Sequence, residues 1–389
     1  MSKKRPTCDN DGTASSQSKK LKDNAWGNTT IKGSERKLRH EDYTVGWICA
    51  IATEYVAAQA FLDEEHEGPE YVSPNDNNDY TLGKVGKHNV VIAVLPQGEY
   101  GISSATGVAK DMLHSFPNVR IGLMVGIGGG APSQKHDIHL GDIVVSAPRN
   151  RKGGVFQYDF GKTLQGQEFQ ETAFLNQPPT VLRAAVNGLM AQYESKGHQL
   201  KEAINCILKK KPRLRKKYKR PDSSSDRLYQ SSITHPTNGE ASCAAVCGDN
   251  LSNLILRPKR AEEEDNPVIH YGLIASANRL MKDALVRDKL AADKDVLCFK
   301  IEAAGLMNQF PCLVIRGICD YSDSHKNKEW QGQRSIWIGA YLERPAGGSL
   351  HWLWIRRFCS RRGVDLRLWS AWSAGSIPNS RRRLRRKER

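Results

Sequence analysis

The sequence predicts an α/β fold with three layers, in which helices cover both faces of a central mixed sheet. The first observation is a set of unbroken apolar runs, such as 89–95 (NVVIAVL) and 311–319 (PCLVIRGIC). Runs of this kind are typical of strands buried on both faces. The second observation is that segments with helical periodicity separate these runs. Both patterns extend over about 42–330, which we interpret as one large domain of the 389 residues.

The elements follow one another in regular alternation along the chain. The segment 53–62 is predicted to be a helix because Tyr55, Ala58, Phe61 and Leu62 share one apolar face. A glycine-rich turn is expected between the strands at 119–126 and 142–146. The complete prediction places strands at 43–51, 89–95, 119–126, 142–146, 270–275 and 311–319, and helices at 53–62, 101–113, 179–193 and 281–290.

The charge is concentrated at the two ends of the chain. The protein has 58 Lys+Arg, 42 Asp+Glu and a formal charge of +16. Residues 1–41 have a net charge of +5 and residues 331–389 a net charge of +11, so 42–330 is close to neutral. A neutral core favours a small-molecule partner over nucleic acid, which would require a basic surface.

The composition also restricts the compartment. No run approaches the roughly 18 apolar residues of a membrane-spanning helix, and no apolar segment follows the N-terminus as in a signal peptide. Nine scattered cysteines are typical of reduced intracellular thiols. We therefore expect an intracellular, cytoplasmic protein without membrane contact. Basic clusters at 3–5 and 19–22 leave nuclear import open as an alternative to a solvated arm.

Three segments depart from the α/β pattern. Residues 1–41 are polar and are predicted to be a disordered basic arm. Residues 200–267 are interpreted as a surface insertion with little core. Residues 331–389 form an atypical Arg/Trp-rich tail with no sustained helical period from 333 onward, whose texture is that of a sequence read in another frame, although a genuine basic tail is the alternative.

The insertion contains weak candidates for a metal site. His235, Cys243 and Cys247 are residue types that bind soft metals. Their C-x3-C spacing is looser than the usual C-x2-C, and the sequence shows no fourth ligand. We expect no metal and no cofactor.

Seven segments in the predicted domain resemble one known superfamily, in the order that the superfamily has them. They are 46–55 (GWICAIATEY), 123–130 (LMVGIGGG), 140–146 (LGDIVVS), 157–162 (QYDFGK), 270–276 (HYGLIAS), 301–305 (IEAAG) and 314–324 (VIRGICDYSDS). This superfamily is that of the nucleoside phosphorylases and nucleosidases, which includes purine nucleoside phosphorylase, uridine phosphorylase and methylthioadenosine/adenosylhomocysteine nucleosidase. The chain resembles in particular the version that precedes NACHT, ankyrin or tetratricopeptide segments in fungal immune-type proteins.

The resemblance implies cleavage of a purine N-glycosidic bond. It assigns Asp320 as the acid that serves purine N7, although an aspartate that closes a strand into a turn is the alternative. It assigns Glu54 to the attacking water, against the alternative of an exposed charge on a helix. Glu302 would accept hydrogen bonds from the ribose, with Ile301 packed beneath, or would only begin a helix. The residues that contact the purine base would be Ser276, Ala277 and Asn278.

The nucleophile is inferred from two departures. Met124 stands where purine phosphorylases have a phosphate-binding arginine, and Ile127 replaces a hydroxyl residue, so hydrolysis is favoured over phosphorolysis. The turn formed by Gly126, Gly128 and Gly129 would accommodate the sugar or a 5′ substituent.

Two further departures keep a second function open. Lys300 stands where the family has glutamate, and Ala277 where it has glycine. The alternative is therefore a catalytically inactive nucleotide-sensing or scaffold module. The partner is a purine nucleoside or nucleotide in either case; adenosine, methylthioadenosine and ATP, and the formation of a homo-oligomer, are left open.

Overall fold

The computed structural model describes residues 3–4, 38–236, 243–248, 250–258, 260, 267–325 and 329–342. The strands are β1 (Lys3–Lys4), β2 (Val45–Cys49), β3 (Glu64–Glu65), β4 (Tyr80–Val85), β5 (His88–Val94), β6 (Ile121–Gly130), β7 (Ile143–Ser146), β8 (Val155–Gln157), β9 (Gly161–Lys162), β10 (Gln170–Glu171), β11 (Ile269–Ser276), β12 (Val296–Lys300) and β13 (Cys312–Asp320). The helices are α1 (Ala52–Ala60), α2 (Ile102–Ser115), α3 (Thr180–Lys196), α4 (Leu200–Lys210), α5 (Arg215–Tyr218), α6 (Cys243–Val246), α7 (Ala284–Lys294), α8 (Ala303–Met307) and α9 (Glu329–Leu342).

The central sheet is mixed and curls into a ring at one end. Strands β3, β4, β5, β2 and β6 lie side by side in that order. From β6 the pairing continues through β13, β7, β11 and β12 and returns to β6. The pairs β2–β6 and β6–β13 are parallel, whereas β12–β6 and β13–β7 are antiparallel. The α/β fold with a mixed sheet is therefore confirmed.

Helices cover both faces of this sheet. One buried cluster joins the sheet to α2 and α8 through residues such as Met112 and Leu306. The other joins it to α1, α3, α4 and α9, where Ala57, Leu182 and Ile204 are buried. Burial of these apolar faces stabilises the three layers, because each large side chain contributes about 1.5–3 kcal/mol.

The expected glycine-rich turn is wrong, because these residues belong to β6. The strand runs through Gly130 and pairs with β13 along most of its length. Its last residues, Gly129 and Gly130, pair with Phe299 and Cys298 of β12. Glycine usually disfavours a strand, but here the ladders on both sides supply the hydrogen bonds that hold the segment extended.

The insertion contributes more to the core than the sequence indicates. The second buried cluster, which joins the sheet to α1, α3 and α9, also contains Leu200, Ile204 and Ile207 of α4 and Tyr218 of α5. The prediction of a segment with little core is therefore wrong for 200–218. Helix α4 is amphipathic, but the run of lysines at its end conceals this pattern when the segment is judged by composition.

The expectation that no helix follows residue 333 is also wrong. Helix α9 extends to Leu342, and Ile336, Ile338 and Tyr341 are buried in the second cluster. Two glycines lower the intrinsic helix propensity of this segment. Gly339 lies against the Phe61 ring and Gly332 against the Lys217 backbone, where a Cβ would collide. The close packing of α9 therefore requires glycine at positions 332 and 339, and these same glycines make the helix hard to predict from the sequence.

The ends of the chain are described only in part. Lys3–Lys4 pairs with Glu64–Glu65 as a short antiparallel strand, which differs from the disorder predicted for the basic arm. Residues 5–37, which hold the second basic cluster, and the tail from 343 lie outside the described residues. Within the described ranges, no helix combines the length and apolar character required to cross a membrane.

Candidate active site

Glu54 is the centre of a buried hydrogen-bond arrangement at the carboxyl end of β2. The chain leaves β2 at Cys49 and enters α1, and Glu54 lies in the first helical turn with 3% of its surface exposed. Its Oε2 accepts hydrogen bonds from the backbone N–H groups of Ala50 (2.7 Å) and Ile51 (3.3 Å). Its Oε1 accepts one from the Ile127 N–H (2.7 Å). The alternative of an exposed helix charge is therefore wrong, and the carboxylate is held rigidly between β2 and β6.

Arg316 is a site residue that the sequence analysis missed. It lies in the middle of β13, is fully buried, and has no hydrogen-bond partner for Nε, Nη1 or Nη2 among the described residues. It meets Glu54 at Gly126, where an added Cβ would contact Glu54 Oε1 and would lie 2.6 Å from Arg316 Nη1. A buried guanidinium without partners is costly, so it indicates a binding site. An arginine inside the run CLVIRGIC was the signal for it.

Glu302 and Lys300 add a second pair of charges. Glu302 precedes α8, is 2% exposed, and its Oε2 lies 3.1 Å from Lys300 Nζ. Burial acts to raise the pKa of Glu302, but the nearby cations of Lys300 and Arg316 more than offset this, and the pKa lies below its usual value. Glu302 is thus ionised at neutral pH, while Ile301 beside it is buried.

Asp320 ends β13 at the same edge of the sheet. Its Oδ1 accepts a hydrogen bond from the Ser322 N–H (2.9 Å), and its Oδ2 accepts one from Cys319 Sγ (3.6 Å). Ser322 has a φ of 54°, in the left-handed region that a non-glycine residue rarely adopts. Because β2, β6 and β13 are parallel, their carboxyl ends meet at this edge, which is where ligands bind in α/β sheets.

The glycines of β6 provide space for these side chains. A Cβ on Gly126 would overlap the Glu54 carboxylate, and one on Gly129 would overlap Ser322 Oγ and lie 2.6 Å from Asp320 Oδ1. At Gly128 a Cβ would lie 3.2 Å from the Phe299 carbonyl oxygen. The glycines at 126–130 are therefore part of strand β6 and not of a turn. Because they lack side chains, they leave space for the buried polar groups of Glu54, Arg316 and Asp320.

The three residues predicted at the base are used within the protein. Ser276 Oγ donates to the Ile301 carbonyl (2.9 Å) and accepts from the Ala304 N–H (3.0 Å), so it ties β11 to α8. Ala277 is buried in an apolar cluster. Asn278 is exposed; its Oδ1 accepts from the Ile102 N–H, and its N–H donates to Asp159 Oδ2. Asp159 was missed by the sequence analysis, although it lies in the QYDFGK segment.

A second buried charged group lies where β7 begins, beside Ile318 near the end of β13, because β7 and β13 are antiparallel. Asp142 is fully buried, and both of its oxygens accept hydrogen bonds from Arg260, at 2.6 and 2.5 Å. His270 Nε2 lies 2.9 Å from Oδ2, and the His139 and Val268 N–H groups complete the shell. Burial acts to raise the pKa of Asp142, but the bonds from Arg260 and His270 bring it far below its usual value. This arrangement is structural, because every acceptor site is used.

The weak metal candidates also come together. The ligand atoms of His235, Cys243 and Cys247 all lie within 4.8 Å of one another. All three residues lie in the insertion at 200–267.

No family model matches the chain. One curated relative, a nucleotide-binding leucine-rich repeat (NLR)-like protein of Hyaloscypha variabilis, is 43% identical over 306 residues, which is 79% of this chain. The chain spans 29% of the length of that relative. Its name agrees with the predicted resemblance to fungal immune-type proteins.

Solved structures with a similar fold include the futalosine hydrolase of Helicobacter pylori. It is 14% identical, has a TM-score of 0.48 and covers 78% of this chain and 97% of its own. The methylthioadenosine/adenosylhomocysteine nucleosidase of Neisseria meningitidis, in complex with methylthio-immucillin-A, is 12% identical with a TM-score of 0.47, over 76% and 95%. The chain is similar to these two structures in fold. At these identities and TM-scores the likeness says nothing of its substrate or reaction.

Proposed function

We propose that the protein hydrolyses the N-ribosyl bond of a purine nucleoside or nucleotide. The observation that carries this proposal is the buried Glu54 carboxylate, fixed by three backbone N–H groups, beside the unpaired Arg316 guanidinium. A water molecule between the two would donate to Glu54 and accept from Arg316. Such positioning is the main requirement for attack on an oxocarbenium-like transition state.

The water oxygen bonds to C1′ of the sugar while the bond from C1′ to the purine nitrogen breaks. The electron pair of that bond passes to the purine, and Asp320 donates a proton to N7 of the leaving base. Glu54 accepts the proton that the water loses. The products are a free purine and a ribose or ribose phosphate.

Water is favoured over phosphate as the nucleophile by the charges around Arg316. The Ile127 N–H, which could bind an anion, already donates to Glu54. Met124 is fully buried in the apolar core and contributes no cation. Glu54 and the ionised Glu302 both lie near the guanidinium, so a phosphate dianion would meet two negative groups.

Turnover assays on the purified full chain test this proposal. Adenosine, methylthioadenosine and ATP are supplied separately, with and without inorganic phosphate, and free adenine and the sugar product are measured. We expect adenine release without phosphate and no ribose 1-phosphate. Asp320→Asn should lower the rate ~10²–10⁴-fold, as for loss of a general acid. Asp293→Asn, on the exposed side of α7, is the matched control. Strict phosphate dependence would overturn hydrolysis.

The Lys300–Glu302 ion pair supports the second candidate function, a nucleotide-sensing module without turnover. Lys300 occupies a Glu302 oxygen that would otherwise accept a ribose hydroxyl. On this alternative the chain binds a purine nucleotide in calorimetry but releases no base. Lys300→Met separates the two functions, since it frees Glu302: an active hydrolase should keep or gain activity, and a pure sensor should remain without activity.

A further inference from the structure

The insertion and the loop after Asp320 meet in a cluster of soft-metal ligands. Cys243 and Cys247 lie one helical turn apart, and the Cys247 N–H donates to the Cys243 carbonyl at 2.9 Å. This i,i+4 spacing puts both thiols on one face, which explains why the C-x3-C spacing is usable. His235 Nδ1 lies 3.1 Å from Cys247 Sγ. Three ligand atoms thus converge from one segment.

His325 lies beside this cluster and was not among the candidates of the sequence analysis. Its ring packs flat on Tyr229 (centroids 3.9 Å apart, 11° between planes) and edgewise to His235 (5.9 Å, 72°). The side chain is 4% exposed, and neither ring nitrogen has a hydrogen-bond partner in the part of the chain that the structure describes. A buried imidazole in this condition indicates a ligand at its nitrogen.

The surroundings of His325 are those of a metal-binding histidine. Asp323 Oδ2 lies 3.7 Å from Nδ1, which leaves Nε2 as the free ligand atom. Metal-bound histidines commonly have a carboxylate behind the ring nitrogen that does not bind the metal. Asp323 is itself fixed, because its Oδ1 accepts from the His325 N–H (2.9 Å) and Arg287 Nη1 lies 3.7 Å from its Oδ2.

We propose that His235, Cys243, Cys247 and His325 bind one zinc ion in a closed, four-coordinate structural site. A tetrahedral Cys2His2 site has ligand-to-ligand separations of roughly 3.3–3.8 Å, given bond lengths of about 2.0–2.3 Å. The ligand atoms of His235, Cys243 and Cys247 lie within 4.8 Å of one another, and the His325 ring, whose centroid lies 5.9 Å from that of His235, would rotate towards them on binding. On binding, the two thiols release their protons, and the two thiolates neutralise Zn²⁺.

The proposed ion would connect the insertion to the candidate acid. His325 is five residues after Asp320, and the His235 N–H already donates to Ser324 Oγ (2.8 Å) in the same loop. A metal at this position would fix the path of residues 321–325, and with it the left-handed Ser322 that donates to Asp320. The site is separate from the Glu54–Arg316 pair and does not depend on the proposed reaction.

The test uses the full chain, purified with a phosphine reductant, and measures metal content by mass spectrometry and Co²⁺ binding by visible absorption. We expect about one zinc per chain, and tetrahedral cobalt bands with thiolate character on substitution. Cys243→Ser, Cys247→Ser and His325→Gln should each abolish stoichiometric binding. Asp323→Asn should weaken binding by about 10–100-fold. Cys298→Ala and His114→Gln are the controls, since both lie outside the cluster, and they should keep the metal.

Three results would overturn the proposal. The first is wild-type protein that holds no zinc after equilibration with micromolar Zn²⁺. The second is a Cys243–Cys247 disulfide under reducing conditions, detected by thiol labelling. The third is an unchanged cobalt spectrum in His325→Gln, which would remove His325 from the site. If a variant fails to fold, zinc release from the wild-type protein on titration with a mercurial still decides, and no release contradicts thiolate ligation. None of these measurements depends on the release of a purine base, so they test the metal site independently of the proposed reaction.

Discussion

Two buried groups of charges among the described residues, one around Asp142 and one around Arg316, differ in how completely their hydrogen-bonding groups are satisfied. At Asp142 every acceptor site is filled, by Arg260, His270 and two backbone N–H groups. At Arg316 the guanidinium has no hydrogen-bond partner among the described residues, although Glu54 and Glu302 lie close to it. A filled network of buried charges maintains architecture, whereas an unfilled one costs stability and is retained where a ligand completes it. Mutation should therefore affect stability at one group and activity at the other.

The largest expected effect is on turnover at the Arg316 group. Glu54→Gln keeps the shape of the side chain but removes the acceptor for the water's proton, so base release should fall ~10²–10⁴-fold. Arg316→Met should lower it ~10²–10³-fold, as for loss of a positioned donor. For Arg316→Met the melting temperature should fall less than for Asp142→Ala, because the guanidinium makes no hydrogen bond within the described residues and only its attraction to nearby carboxylates such as Glu302 is lost. Calorimetry and turnover on the same samples check both expectations. A large fall in stability would contradict the comparison.

Asp142→Ala should have the opposite outcome. It leaves Arg260 and His270 buried without their shared partner, so the free energy of unfolding should fall by about 3–5 kcal/mol. Urea denaturation measures this change. Asp293→Ala, on the exposed side of α7, is the control and should fall within about 0.5 kcal/mol of the wild type. Equal effects of the two substitutions would show that the Asp142 network is not a stabilising feature.

The pH dependence of the free energy of unfolding should differ between the wild type and Asp142→Ala. The pKa of Asp142 is lower in the folded state than in the unfolded state, where it is close to 3.9. Its contribution is therefore fully present above the unfolded value and is lost as the pH falls below about 4 towards the folded value. Denaturation series from pH 7 to pH 3 should show a steeper loss in the wild type than in Asp142→Ala. Parallel curves would contradict the assignment.

A smaller effect on turnover and stability is expected from a substitution at Gly126 in β6. Gly126→Ala places a methyl group against the Glu54 carboxylate and the Arg316 guanidinium, so it should cost about 1–3 kcal/mol and displace both groups. Gly68→Ala, which has open space around the added carbon, is the control. We expect turnover to fall in the first variant only. Wild-type turnover in Gly126→Ala would mean that the Glu54–Arg316 contact is not part of the reaction.

The sequence predicts the strands that are long unbroken apolar runs, such as β5 and β13, because a strand buried on both faces needs such a run, but it misses β4 and β12. The candidate residues Glu54 and Asp320 come from the family resemblance, and in the structure they follow β2 and end β13 at one edge of the sheet. Prediction from the sequence fails where distant residues decide the structure. Residues 126–130 are extended because they pair with β13 and, at their end, with β12. Helix α9 packs closely on Phe61 and on the Lys217 backbone, and this contact requires its two glycines. Glu54 beside Arg316 and His235 beside His325 are likewise distant in sequence.

The closed ring of strands has a consequence for synthesis of the chain. Strand β6 is complete at Gly130, but its partner β13 begins only at Cys312, about 180 residues later. At ~5–20 residues per second, ribosomes need roughly 10–40 s to make that interval. During this time β6, with its apolar first half and glycine-rich second half, has an edge without its final neighbour. An unpaired apolar edge is a template for association with other chains. The nascent protein is thus exposed to aggregation until β13 emerges and pairs with β6.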